Sequence, residues 1–465
     1  MKKLTWKEVE RLEGEQKLEE ARAAVEGIRK SARAAGNGDE WTKALIREFQ
    51  LRTALHGYET AVRFLKDEPW PDGALNRAPL DLFYAQSLVN YVRVYGWEIG
   101  KRELVETKGI VDLKSWTRDQ IWAEAGRAFA DVWSRRETLG GEPASRLPDY
   151  IQPNTYPAGV RPTLRDAVSY LFVDFLADSS GWRSEESNDV YRLDVGQLAK
   201  GETGADPNRL NDPAIHPLRK LSAVLGDLMA WHRSAGRREA ELEALLERTR
   251  RLRTAFTDGR DRLAVRKELE RRVGSYRPVS WWAMGKAELA DLLKGESGRG
   301  NLVRARSIAE AGAKAYPDSP GGKRCRAIAS SIEEPSWRIA AMASDAAGKR
   351  SIQVTHRNLP ALYFRAFAVD LESRVSAATD YNTLPDQREV LALLGARRAD
   401  VEWKSELPAT PDFKDHRTFV IPPLKSPGLW VVAASGRPGF GESDNQVTGV
   451  NVIVSDLVLT VGTDD

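Results

Sequence analysis

The chain has 465 residues, beyond the roughly 250 to 300 at which a single hydrophobic core stops growing, so at least two domains are expected. With 42% apolar and 29% charged residues, it has the composition of a folded protein rather than a disordered one. A formal net charge of +3 is too small over this length to mark a nucleic-acid footprint. One cysteine, Cys325, excludes an internal disulfide framework and a cysteine-only zinc site.

No run approaches the ~18 apolar residues of a membrane span. The start, MKKLTWKEVE, is basic but lacks the apolar segment of a secretory signal. As written the chain is expected in the cytoplasm; a periplasmic, envelope-associated or secreted location requires that a signal peptide has been removed.

In chain order, Thr5 with Glu8 forms a capping-box pattern, and Trp6, Val9 and Leu12 recur at helical spacing up to Gly14. A second helix, 15 to 35, carries Leu18, Ala21, Val25 and Ile28 on one stripe and stops at GNG. Residues 40 to 66 read as one long third helix, ended by Pro69 and Pro71, and 80 to 102 and 115 to 139 repeat the pattern. The stretch 148 to 162 has four prolines and cannot be regular helix; it could divide the helical body. Thr163 caps the helix that follows, 179 to 217 reads as the least structured stretch, and 218 to 256 and 260 to 273 resume helix.

Trp281, Met284 and Gly285 match the positions that open a tetratricopeptide repeat (TPR), and Ala305, Gly312 and Pro317 match those that close one, with KGESGRGN inserted between. Helix pairs of this kind bury their faces only by stacking, so residues 1–345 are expected to form an α-helical solenoid of TPR-like hairpins. Around 351 to 374 the period changes from helical to strand-like. Further strands are expected over 400–407, 418–421, 429–435 and 447–461, with a short helix over 386–394. Residues 346–465 are therefore expected to close into an antiparallel β-sandwich.

The runs VIPPLKSPGLWVVAASG (420–436) and VNVIVSDLVLT (450–460) resemble the first macroglobulin-like, fibronectin-III-like domain of bacterial alpha-2-macroglobulin-like proteins. The preceding helical region, notably TLRDAVSYL (163–171), VTHRNL (354–359) and YFRAF (363–367), resembles the long amino-terminal extension that some of them carry. The resemblance implies a secreted or envelope protein of serial sandwiches, with a protease-cleavable bait segment and often a thioester, that traps proteases. The thioester motif Cys-x-Glu-Gln is absent, Cys325 standing in GGKRCRAIA, and the chain reads as the amino-terminal portion of such a protein.

The five histidines show no metal spacing, and no Walker, GxGxxG or GxSxG run occurs. Neither a catalytic residue nor a cofactor or metal site is expected. Cys325 lies beside Arg324 and Arg326, yet in a helix it reads as a small packed side chain rather than a reactive thiol. The arginine-rich stretch 233 to 277, interleaved with glutamates, reads as a solvated helix pair rather than a nucleic-acid face. Trp281 and Trp282 are neighbours and cannot share a helix face. With Tyr150 and Tyr156 of the proline-rich loop they are the candidate protein contacts. The expected role is a non-enzymatic scaffold whose partners are proteins, either within an alpha-2-macroglobulin-like protease-binding protein or as a free-standing intracellular TPR-like peptide binder; the oligomeric state stays open.

Overall fold

The computed structural model describes residues 5–102, 113–341, 351–378, 383–441, 443 and 445–455. It forms two compact units, 1–285 and 286–465. The layout is helical first and antiparallel β afterwards, with no membrane-length apolar helix among the described residues.

The first unit holds α1 (Trp6–Gly14), α2 (Leu18–Ala34), α3 (Gly38–His56), α4 (Tyr58–Asp67), α5 (Ala74–Ile99), α6 (Arg118–Ser134) and α7 (Arg136–Leu139). There follow α8 (Leu164–Ala177), α9 (Ser184–Asp189), α10 (Val195–Lys200), α11 (Pro217–Ser234), α12 (Arg238–Ala255) and α13 (Gly259–Val273). Sequence neighbours pack as pairs, α2 on α3, α5 on α6 and α11 on α12, while α8 packs on α6 and α11. Two long helices expected from the apolar period are interrupted. Gly57, at φ +86, separates α3 from α4, and Gly236, at φ +69, lies between α11 and α12. Only glycine adopts that backbone without strain, so the apolar stripe continues while the chain turns. The stretch 179 to 217, expected to be the least structured, contains the short helices α9 and α10.

The least expected element is α12. Its sequence, REAELEALLERTRRLRTA, reads as solvated, yet Glu241, Glu243, Arg248, Leu242, Leu245 and Leu246 are all buried. Charge neutralisation from a distance permits this. Glu243 accepts from Arg161 at 2.7 Å, Arg250 at 2.9 Å and the indole of Trp281 at 2.8 Å. Glu241 accepts from Arg233 at 2.8 Å, Arg238 at 3.1 Å and the Tyr276 hydroxyl at 2.9 Å. A buried carboxylate is tolerable only when paired in this way. Arg161 also lies over the rings of Tyr156 and Tyr170, at 4.1 and 3.6 Å. The proline-rich loop is thereby clamped onto α12 and divides nothing; its ends are closed by Ala144 N–H to Pro162 O and Leu164 N–H to Glu142 O.

The unit boundary falls within α14 (Trp282–Lys294), not near 345. The second unit then has α15 (Asn301–Ala315) packed on α16 (Pro320–Glu333). These helices are tied to the strand loops that follow: Asn358 donates to Ile332 O at 2.8 Å, and Arg306 lies over the Phe413 ring at 5.5 Å. That is why they segregate with the sheets. Among the described residues seven strands follow: β1 (Ser336–Ala341), β2 (Ile352–Arg357), β3 (Ala361–Val369), β4 (Val401–Glu406), β5 (His416–Val420), β6 (Gly428–Ser435) and β7 (Val447–Val454). The expected strand at 447–461 is confirmed up to Val454, and 456–461 lie outside the described residues. β1 lies before the strands that the sequence pattern marks.

All pairings are antiparallel, in one sheet of order β1-β2-β5 and another of order β4-β3-β6-β7. One core joins inward residues of both sheets: Trp337, Ile352 and Val354 from the first, Phe364, Val432 and Val452 from the second. This sandwich-like packing uses the period-two alternation of each strand. Between β3 and β4 the chain forms α17 (Leu371–Ala377) and α18 (Gln387–Ala396). Val390 of α18 covers the other face of the larger sheet, over Phe367, Val431 and Ala433. β3 is therefore covered on both faces, as its apolar sequence requires.

Candidate functional site

The residues singled out as contacts lie mostly inside the first unit. Trp281 is 3% exposed and Trp282 6%. The Trp281 indole donates to Glu243, and its ring lies 5.8 Å from that of Tyr156. Both tryptophans are packing residues in this structure, and neither offers a contact surface. Tyr156 is half-buried, and burial raises its phenol pKa. Tyr150 stands apart from that pair, lining a cavity of about 250 Å³ with Asp39, Lys43 and Arg146; burial pushes its phenol up to about 12.

A larger cavity than the one beside Tyr150 lies elsewhere, between α6 and α8. It measures about 400 Å³ and is lined by Trp122, Phe172, Phe175 and Trp182, with Lys220, Arg183 and Glu186 also in its wall. Two capping boxes start the helices that build it. Thr117 and Gln120 reciprocate at the start of α6, and Thr163 and Asp166 at the start of α8. Small residues then let the walls close. Gly126 of α6 has no side chain to displace Phe175, whose Cε1 stands 3.3 Å from where a Cβ would be, and Gly181 does the same for Trp122.

The ring of Trp122 stacks on Phe175 at 4.9 Å, with 21° between planes, and Phe129 backs both Phe172 and Phe175. Trp182 donates its indole N–H to Leu176 O at 3.0 Å. His216 meets Trp182 edge-on at 5.2 Å. The tautomer of His216 is fixed by its partners: Nδ1 accepts from Leu218 N–H at 3.1 Å, so Nε2 carries the proton that bonds Glu186 O at 2.8 Å. Burial lowers the pKa of His216, which agrees with a neutral ring.

In the wall, Arg183 pairs with Glu186 at 3.0 Å. Lys220 has no ion pair among the described residues, and burial lowers its pKa. The cavity thus offers an aromatic interior with one ammonium available to an acceptor. Its lining holds no nucleophile paired with a base. Among the described residues no group of three or more His, Cys, Asp or Glu side chains is placed to hold a metal ion. Compared with protein-family models, curated proteins and solved structures, the chain shows no significant match.

The sequence reading missed this cavity. Trp122, Phe175 and Trp182 come from different elements, and each alone fits a helical or turn position. The one local signal was the Gly181-Trp182 step, where a glycine precedes a large ring.

Proposed function

We propose that the chain is a non-enzymatic protein-binding scaffold whose aromatic cavity takes an apolar side chain of a partner protein, with Lys220 receiving an adjacent carbonyl or carboxylate. The observation that carries this reading is the cavity itself: about 400 Å³, walled by stacked aromatic rings beside the Lys220 ammonium, which has no ion pair among the described residues. Aromatic pockets of this kind supply the anchoring energy of peptide recognition.

The β unit belongs, in this reading, to a macroglobulin-like sandwich of an alpha-2-macroglobulin-like protease-binding protein. Strand order supports it. A sheet of first, second and fifth strands beside one of fourth, third, sixth and seventh is the arrangement of fibronectin-III-like sandwiches. The paired helices before it support a TPR-like solenoid.

A photoreactive residue placed at Ala123, which is exposed and lines the cavity, tests the scaffold. Cross-linking in the source cells is expected to give a discrete protein adduct that the Lys220→Glu variant loses. No protein adduct, or one indifferent to Lys220, overturns the assignment. The family reading has its own test, an immunoblot of cytosolic and envelope fractions. A native band far above 51.8 kDa in the envelope supports the macroglobulin-like protein. A cytosolic band near that mass overturns it and leaves the free-standing TPR-like scaffold.

A further inference from the structure

A second cavity, about 320 Å³, lies among α10, α11, α12 and α13. Its wall is strongly cationic: Lys200, Arg233, Arg248 and Arg272 line it, against a single carboxylate, Asp227. Arg248 is only 2% exposed, and its Nε and Nη2 find no hydrogen-bond partner among the described residues. A buried guanidinium without an acceptor is costly, and native proteins rarely leave one.

The surrounding carboxylates are committed elsewhere. Asp227 accepts from Arg136 at 3.1 Å and from Arg165 at 2.6 Å. Glu268, which acts on Arg248 electrostatically, gives both oxygens to Arg271, at 2.9 and 2.7 Å. Glu241 holds Arg233, Arg238 and Tyr276. The backbone is shaped around the guanidinium as well. Gly201, at φ +90, ends α10 beside it, and a Cβ there would stand 2.6 Å from Arg248 Nη1. Burial, with Arg272 adding to it, presses the Arg248 pKa down to about 10, a strain that a bound anion relieves.

We propose that this cavity is an anion site for a phosphoryl group, with Arg248 as its principal ligand and Lys200 and Arg272 supplying the remaining charge. Arg248 lines the cavity, and a planar guanidinium carries several donors whose geometry suits the oxygens of a phosphate. The volume exceeds what a lone phosphate fills, so the site suits a phosphorylated small molecule; a free phosphate ion presents the same chemistry.

Thermal unfolding of the whole chain in rising inorganic phosphate, against chloride at equal ionic strength, tests the site. Phosphate is expected to raise the transition temperature progressively, as ligand linkage requires. Arg248→Met should abolish that rise and should unfold at or above the wild-type temperature without phosphate, because an unpaired buried charge has been removed. Should Arg248→Met fail to fold, Arg272→Gln, at a half-exposed position, is expected to weaken phosphate about tenfold in a folded protein. Arg260→Gln, 96% exposed, should change nothing. Glycerol 3-phosphate binding tighter than inorganic phosphate assigns the site to a phosphate ester; equal binding assigns it to the free ion. No stabilisation beyond chloride, or full stabilisation retained in both arginine variants, overturns the proposal.

Discussion

The indole of Trp122 approaches the backbone of Gly181 so closely that a Cβ built on that glycine would stand 1.8 Å from Cε2 and 2.1 Å from Cζ2. No flexible chain end takes up the clash, because the ring is also stacked on Phe175. Gly181→Ala is therefore expected to push Trp122 out of its stack. Overpacking of this kind costs about 1 to 3 kcal/mol. Urea unfolding should show the loss, and tryptophan fluorescence of the folded variant should shift to the red as the ring gains water. An unchanged spectrum with wild-type stability would mean that the wall is soft.

Asp166 joins two helices with one carboxylate. It is fully buried, receives the Thr163 N–H at 3.0 Å and hydroxyl at 2.7 Å, and its other oxygen meets Nε2 of His232 at 2.8 Å. Removing it strips the reciprocal half of the capping box of α8, leaving the Thr163 N–H unpaired in that box, and leaves a buried imidazole of α11 without this partner. Asp166→Ala is expected to lose about 3 kcal/mol, the joint effect of a lost cap and a broken buried network. Asp166→Asn, which keeps an oxygen for the cap, should lose less. Equal losses in the two variants, measured by denaturant unfolding, would exclude the cap as a contributor.

The elements that local chemistry marks were legible in the sequence: the Thr163 cap, the short helix near 386–394, and the strands β3, β4 and β6. What escaped depended on partners far along the chain. α12 is polar by composition, and Arg161 and Trp281, remote from it in sequence, join nearer arginines in making its glutamates suitable for a core. The same remoteness hid the aromatic cavity, and it explains why Trp281 looked like a surface residue when its indole in fact serves Glu243. Gly57 and Gly236 were readable only as glycines; their positive φ comes from the turns that the packing of flanking helices demands.

Asp81 gives the protein a pH dependence of definite sign. Burial raises its carboxyl to about 6, against the opposing pull of Arg135 at 2.9 Å. The unfolded chain ionises this group near pH 4, so between about pH 4 and pH 6 the folded state holds more protons than the unfolded one. Stability then falls as pH rises through that window, by on the order of 3 kcal/mol at its upper end. Asp81→Asn, which cannot ionise, should match wild type near pH 4 and exceed it at pH 7. Unfolding curves at the two pH values decide the matter; a wild-type advantage that grows with pH would contradict it.

Cys325 tests how far neighbouring charge governs a thiol. Arg324 precedes it in sequence, yet that guanidinium is occupied by Glu288 at 2.8 Å and Asp291 at 2.5 Å. Burial dominates instead: the side chain is inaccessible and the thiol is pushed up to about 11. Because the thiolate is the reactive form, almost none exists near neutral pH. A disulfide reagent is expected to label the native chain at least about tenfold more slowly than a free thiol, and at full rate once denaturant opens α16. Rapid labelling of the folded protein would show that α16 opens locally, or that Arg324 leaves its carboxylates and lowers the thiol after all.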